Sequence, residues 1–152
     1  MRKTNISVSV WARDTLASMG RKGDSFDDIV CDLIHFRNIM SIHDIVKNDM
    51  KVPAIMSEVD LNSVCRTVFE KINFETVPPF VDNGLNGDGS LKEWESFDQA
   101  LEWAMGMAGD EDLVGANRTP TPAELVTNVY CLMCSIPAPT WNIGAMRNPL
   151  AP

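Results

Sequence analysis

Polar and apolar side chains alternate strictly from Thr4 to Val10, where the sequence reads T-N-I-S-V-S-V. Successive side chains of a β-strand point to opposite faces, so Ile6, Val8 and Val10 would share one face. The pattern predicts a short strand with one apolar and one polar face. A single short strand leaves the backbone groups along both of its edges without hydrogen-bond partners. It is therefore expected to pair with another strand.

Two helices are predicted after this strand. The first spans about Ala12 to Met19 and ends at Gly20, a residue type that favours helix C-termini. The second begins at Ser25, which can accept a hydrogen bond from the Asp28 amide while the Asp28 carboxylate returns one. Asp24 is the alternative N-cap. An apolar stripe at helical spacing follows, formed by Phe26, Ile29, Val30, Leu33 and Ile34.

A strand and two short helices provide too little core to be stable alone. The simplest arrangement that buries their apolar side chains is a homodimer, in which two strands pair antiparallel and the helices interlock beneath them. We therefore predict a mainly α protein, with a ribbon-helix-helix-like segment over residues 1–37 and a helical domain over residues 38–152. In the alternative, residues 4–36 begin one larger fold and the strand pairs within the same chain.

The motif I-S-V-S, followed at a short interval by L-A-S-M-G-R-K-G-D-S-F-D-D-I-V-C-D-L-I, resembles the small archaeal antitoxins of toxin-antitoxin modules. The resemblance covers about residues 4–36. It implies a dimer that inserts its two-stranded ribbon into the DNA major groove, with outward strand side chains touching base edges. In this sequence those side chains would be Lys3, Asn5 and Ser7.

The resemblance also implies a phosphate contact at the start of the second helix, through the backbone amides of Gly23, Asp24 and Ser25. Further phosphate attraction would come from Arg2, Arg21 and Lys22. Three carboxylates lie in the same stretch, those of Asp24, Asp27 and Asp28. Either the basic side chains offset this repulsion, or the segment serves dimerisation without DNA.

The charge is distributed unevenly. Residues 1–23 carry five basic side chains against one acidic one, a net +4, so the remainder of a chain with net charge -8 carries -12. The composition, 45% hydrophobic and 22% charged, is typical of a globular protein. No long apolar run or secretion signal is present, so we expect a soluble, cytoplasmic protein that does not bind membranes, with its four cysteines reduced.

Helix-start signals predict four further helices, beginning at Ser41, Ser57, Ser90 and Thr121. Between them, Pro53 and the breaker-rich stretch from Thr76 to Gly89 predict loops. The last helix is apolar on nearly all sides, so we expect it either at the centre of the core or covered by a partner subunit. The proline-rich C-terminus is predicted to form an irregular arm.

Two motifs suggest metal sites, but each has a simpler interpretation. The stretch from Gly84 to Glu95 lacks the first oxygen ligand of a calcium loop and is better explained by a turn before a helix. Cys131 and Cys134 have zinc-site spacing but lie inside a predicted helix, which favours buried thiols. The sequence shows no motif of a phosphate-binding loop or of a catalytic triad. We expect no metal, no cofactor and no enzymatic activity.

These features predict a homodimeric, DNA-binding transcription regulator of the antitoxin type. Its acidic C-terminal domain would bind a partner such as a basic toxin. The alternative is a structural or assembly subunit of a viral or other large particle, which uses the N-terminal segment for contacts between subunits. Its nine methionines and all-apolar helix suit adaptable subunit interfaces.

Overall fold

The computed structural model describes residues 4–74, 81–85, 91–93, 96–115, 119–134 and 136. Its helices are α1 (Val10–Met19), α2 (Phe26–Asp44), α3 (Glu58–Lys71), α4 (Phe97–Met107), α5 (Glu111–Val114) and α6 (Pro122–Cys134). Helix α2 continues into a π-helical turn, Ile45–Asp49, and the strands are β1 (Val81–Leu85) and β2 (Leu91–Glu93). The prediction of a mainly α protein is confirmed. Among the described helices, none has the length and apolar character needed to cross a bilayer.

Helix α6 lies at the centre of the fold and packs against α2, α3 and α4. It begins at Thr121, whose hydroxyl oxygen accepts from the Glu124 amide at 3.3 Å and donates to the Glu124 carboxylate at 3.1 Å. Most of its side chains are buried, including Val126, Val129 and Tyr130. The predicted start of this helix and its central position are therefore confirmed.

An aromatic cluster fills the space between α3 and α6. The ring of Phe74 lies 4.9 Å from Phe69 and 4.7 Å from Tyr130, measured between ring centroids. The position of Phe74 depends on a turn that follows α3. In this turn Asn73 adopts a φ of 54°, in the left-handed region that asparagine tolerates better than most residues. This turn brings Phe74 back onto the core. The helix predicted at Ser57 is confirmed, with the Ser57–Asp60 capping box formed.

The predicted strand from Thr4 to Val10 is not present in the single chain. Residues 4–9 have no regular secondary structure, and Val10 is the first residue of α1. Ser9 caps α1, its hydroxyl oxygen accepting from the Ala12 amide at 3.0 Å. The apolar side chains Ile6, Val8 and Val10 are 74%, 50% and 65% exposed. A single chain offers this stretch no second strand, so no ribbon forms within it.

Helix α2 begins as predicted, with the Ser25–Asp28 capping box formed, but it extends much further. The separate helix predicted at Ser41 is wrong, because Ser41 lies inside α2. The physical reason is that no glycine or proline interrupts residues 26–49, so the helix has nothing to end it. Helix α2 is continuous across residue 37, and the domain boundary placed there stays a prediction.

The helix predicted to begin at Ser90 is present, but its predicted start is wrong. Residues 91–93 form β2, which pairs antiparallel with β1 in the register Val81↔Glu93, Asp82↔Lys92 and Leu85↔Leu91. The next helix begins at Phe97, capped by Ser96, which accepts from the Gln99 amide at 3.2 Å. Strand pairing with β1 overrides the local helix signal. Of the calcium-like loop, residues 86–90 and 94–95 lie outside the described residues.

Candidate nucleic-acid interface

The N-terminal segment, defined here as residues 4–34, holds most of the predicted DNA-contacting side chains. Asn5 and Ser7 are exposed in the stretch before α1. Arg21, Lys22 and Ser25 are exposed in the turn between α1 and α2. The two groups are separated along the chain by α1, whose ten residues span about 15 Å. Arg2 and Lys3 lie outside the described residues.

The turn between α1 and α2 is held by its own hydrogen bonds. The Arg21 amide donates to the Asp24 carboxylate at 2.7 Å, and the Asp24 amide donates to the Arg21 carbonyl at 3.0 Å. The Ser25 amide donates to the Asp28 carboxylate at 2.8 Å. Gly23 has a φ of 94°, a conformation that glycine adopts without strain.

These bonds bear on the predicted phosphate contact. The amides of Asp24 and Ser25, which the antitoxin resemblance assigns to a phosphate, already donate within the turn. A phosphate at this position would have to displace a carboxylate from the Ser25 amide. Any attraction for a nucleic-acid backbone at this turn is therefore expected from the side chains of Arg21 and Lys22.

Exposed apolar side chains are concentrated in the same segment. Seven large ones are exposed there: Ile6, Val8, Val10, Trp11, Met19, Phe26 and Ile34. Of the apolar stripe predicted on α2, only Ile29 is buried, and it packs against Gly20. Helix α1 has no buried residue at all. Within the described residues, the fold of one chain does not cover this apolar surface.

A second cluster, which the sequence did not predict, joins α2 to α6. The hydroxyl of Tyr130 lies 2.8 Å from Nδ1 of His35 and accepts a hydrogen bond from Nδ2 of Asn38 at 3.0 Å. Tyr130 is fully buried, and the imidazole ring of His35 meets its ring edge-on. Burial lowers the pKa of His35 below its ordinary value, while Asp32 opposes this shift. Burial also raises the pKa of Tyr130 above its ordinary value.

A signal for this cluster was present in the sequence. Tyr130 is the single tyrosine of the chain and lies in a helix that is apolar on nearly all sides. A buried tyrosine hydroxyl normally finds a hydrogen-bond partner, so a polar group on another element was required. What the sequence did not indicate is which element supplies it.

Two of the four cysteines, Cys65 and Cys131, are buried in the core. Burial raises the pKa of Cys65 and of Cys131 to about 12, so both are neutral thiols at physiological pH. Cys131 is buried and Cys134 half-buried, in agreement with the interpretation of this pair as core thiols. Across the described part of the chain, no three potential ligands among His, Cys, Asp and Glu lie close enough to hold a metal ion.

An open groove of about 590 Å³ lies between α3 and α4. Its lining includes three carboxylates, Glu58, Asp98 and Glu102, together with Arg66. Arg66 is paired with Asp98 at 2.9 Å, which leaves the groove with a net negative charge. Two apolar side chains, Val59 and Met105, also line it.

Comparison with known proteins adds no relative. No protein-family model matches the chain, and no curated protein or solved structure matches it.

Proposed function

We propose that the protein is a homodimeric, DNA-binding regulator in which residues 4–9 of two copies pair as an antiparallel ribbon. The observation that carries this proposal is the exposure of Ile6 and Val8 in a stretch that alternates strictly between apolar and polar side chains. Within the described residues, Thr4 to Val8 make no backbone hydrogen bond. A second copy supplies both the missing backbone partners and an apolar cover.

The order of elements supports the same proposal. The stretch at residues 4–9 is followed by α1, a turn closed by Gly23 and α2, which is the order of a ribbon-helix-helix chain. The exposed Phe26 and Ile34 on α2 are then covered by the helices of the second copy. Strand pairing between copies cannot appear in a single chain, so the lack of a strand in one chain is consistent with this arrangement.

In this dimer the polar side chains of the ribbon, including Asn5 and Ser7, face away from the apolar side and reach base edges in the major groove. Lys3 lies two residues before Asn5, so the alternation places it on the same face of the ribbon as Asn5 and Ser7. Arg21 and Lys22 supply attraction for phosphates, and Arg2 adds to the positive charge of this end of the chain. The acidic remainder, with the groove between α3 and α4, would accept a basic protein partner such as a toxin.

A second candidate function is that of an assembly subunit, in which the same apolar surface joins copies but no DNA is bound. The carboxylates of Asp24, Asp27 and Asp28 near the turn favour this candidate, because they repel phosphates. It predicts large assemblies and no attraction for nucleic acid.

Binding of fluorescent duplex DNA at increasing salt concentration separates the two candidates. The regulator binds duplexes of arbitrary sequence with an affinity that falls as salt rises. Lys22→Ala weakens binding to all sequences alike and flattens the salt dependence, whereas Lys71→Ala, an exposed lysine of α3, leaves binding unchanged. Asn5→Ala removes a base preference at a cost of about 1 to 3 kcal/mol. The absence of salt-dependent binding contradicts the regulator.

A further inference from the structure

Helix α2 has two halves with different surroundings. In its N-terminal half only Ile29 is buried, and Phe26 and Ile34 are exposed. In its C-terminal half Ile39 and Ile42 are fully buried in the core. The change from exposed to buried side chains occurs at residues 35–38, where α2 is hydrogen-bonded to Tyr130 of the central helix α6. The contact with Tyr130 therefore sits at the junction between the N-terminal segment and the core.

The hydrogen bonds at this junction fit a neutral His35 with its proton on Nε2, the tautomer in which Nδ1 is an acceptor. Asn38 can only donate through Nδ2, so the Tyr130 oxygen is the acceptor of that bond. The phenol hydrogen is then free to point to Nδ1 of His35 at 2.8 Å. Nδ1 accepts this hydrogen only when the imidazole is neutral and carries its proton on Nε2.

Protonation of His35 reverses this bond. Nδ1 becomes a donor, so His35 and Asn38 both donate to the Tyr130 oxygen, and the phenol hydrogen loses its nitrogen acceptor. The sulfur of Cys134, one turn along α6, also bonds to Tyr130, but thiols are weak hydrogen-bonding groups. The new cation is half-buried, and the carboxylate that acts on it is Asp32, on the same helix. From α6, Cys131 and Cys134 face Tyr130, and burial keeps both thiols neutral.

We propose that His35 is a proton-operated latch, which holds the N-terminal half of α2 on the core when neutral and releases it, together with α1, when protonated. Release at this point leaves the buried C-terminal half of α2 in place. The latch would make the position of the N-terminal segment depend on pH below about 6.5, the ordinary pKa of a histidine. It stands independently of whether the segment binds DNA.

Hydrogen exchange of the full chain tests the latch, with protection factors compared at about pH 7.5 and about pH 5.5 after correction for intrinsic rates. In the wild type, we expect the protection of residues 10–34 to fall about tenfold, which corresponds to the loss of one hydrogen bond near the upper end of its usual net contribution. Residues 10–34 should be less protected than α6 at both pH values, because release of the latch needs no global unfolding. His35→Gln keeps a hydrogen-bonding side chain without a titrating group, so the protection of residues 10–34 should not change with pH in this variant.

His43→Gln is the matched control, because His43 is the second half-buried histidine of α2 and its pKa is also lowered by burial. This variant should retain the pH response of the wild type. Tyr130→Phe keeps the ring in the core and removes the hydroxyl, so residues 10–34 should be weakly protected at both pH values. The latch is overturned if residues 10–34 of His35→Gln respond to pH as they do in the wild type, if residues 10–34 are as strongly protected as α6, or if Tyr130→Phe behaves like the wild type.

Discussion

Gly20 lies directly against the side chain of Ile29, so that a β-carbon added at Gly20 would be 2.6 Å from the Ile29 Cδ1 atom. Ile29 is the one buried residue of the N-terminal half of α2, and this contact seats α1 on α2. Gly20→Ala is expected to displace the Ile29 side chain from its place and to lower the free energy of unfolding by about 1 kcal/mol. Gly106→Ala, in open space on α4, should instead stabilise by about 0.5 to 1 kcal/mol. Urea unfolding measures the change in stability for both variants. Equal changes would refute the close contact between Gly20 and Ile29.

Asn128 connects the central helix to the end of α4. It is fully buried and donates a hydrogen bond from Nδ2 to the carbonyl of Ala108, the C-cap of α4, at 2.9 Å. Asn128→Ala leaves that carbonyl without this donor and should cost about 1 to 3 kcal/mol of stability. Asn48→Ala, an exposed site in the π-helical turn, should change stability little. A thermal-unfolding comparison in which both variants match the wild type would argue against the bond.

Thr121 caps the central helix, and its hydroxyl oxygen accepts from the Glu124 amide. We expect Thr121→Ala to lower the free energy of unfolding by about 1 kcal/mol, the typical loss on removal of an N-cap. Thr119→Ala, at an exposed position two residues earlier, serves as the control and should be nearly neutral. Denaturant unfolding followed by far-ultraviolet circular dichroism gives both values. A larger effect at Thr119 would contradict the assignment of the cap.

The stability of the whole protein should depend on pH through its two histidines. Burial is the main cause that lowers the pKa of both His35 and His43 below 6.5. The unfolded chain then takes up protons more readily than the folded chain, so this stability is fully present above about pH 6.5 and is lost as the pH falls towards the lowered pKa values. Urea titrations between about pH 7.5 and pH 5.5 should show the loss. The double variant with His35→Gln and His43→Gln should lose less stability over this pH range. A loss as large as that of the wild type would contradict the assignment of the effect to the two histidines.

Helix starts were predictable where the local signal met no competitor. Ser25, Ser57 and Thr121 each begin a helix as their capping patterns indicate. The same kind of pattern failed at Ser41, because α2 reaches it without a breaker, and at Ser90, because the following residues pair with β1. A cap is a local interaction, and it decides a helix start only when the chain before it is not already helical and the chain after it has no strand partner.

The junction at Tyr130 was not predictable in the same way. His35 and Tyr130 are 95 residues apart in the sequence, and the helices that carry them give no indication of which faces meet. At Ile6 and Val8, by contrast, the sequence indicates a structure that a single chain does not form. Their alternation predicts a strand, but one chain lacks the second strand that would complete it.

The mass of the full chain in solution tests the central claim, that residues 4–9 pair between two copies. Val8→Lys places a charge on the apolar face of the ribbon, whereas Ser7→Lys makes the same change one residue earlier on the polar face. At micromolar concentration, sedimentation equilibrium should give a dimer for the wild type and for Ser7→Lys, and a folded monomer for Val8→Lys. A monomeric wild type, or a Val8→Lys variant that remains dimeric, would contradict the account.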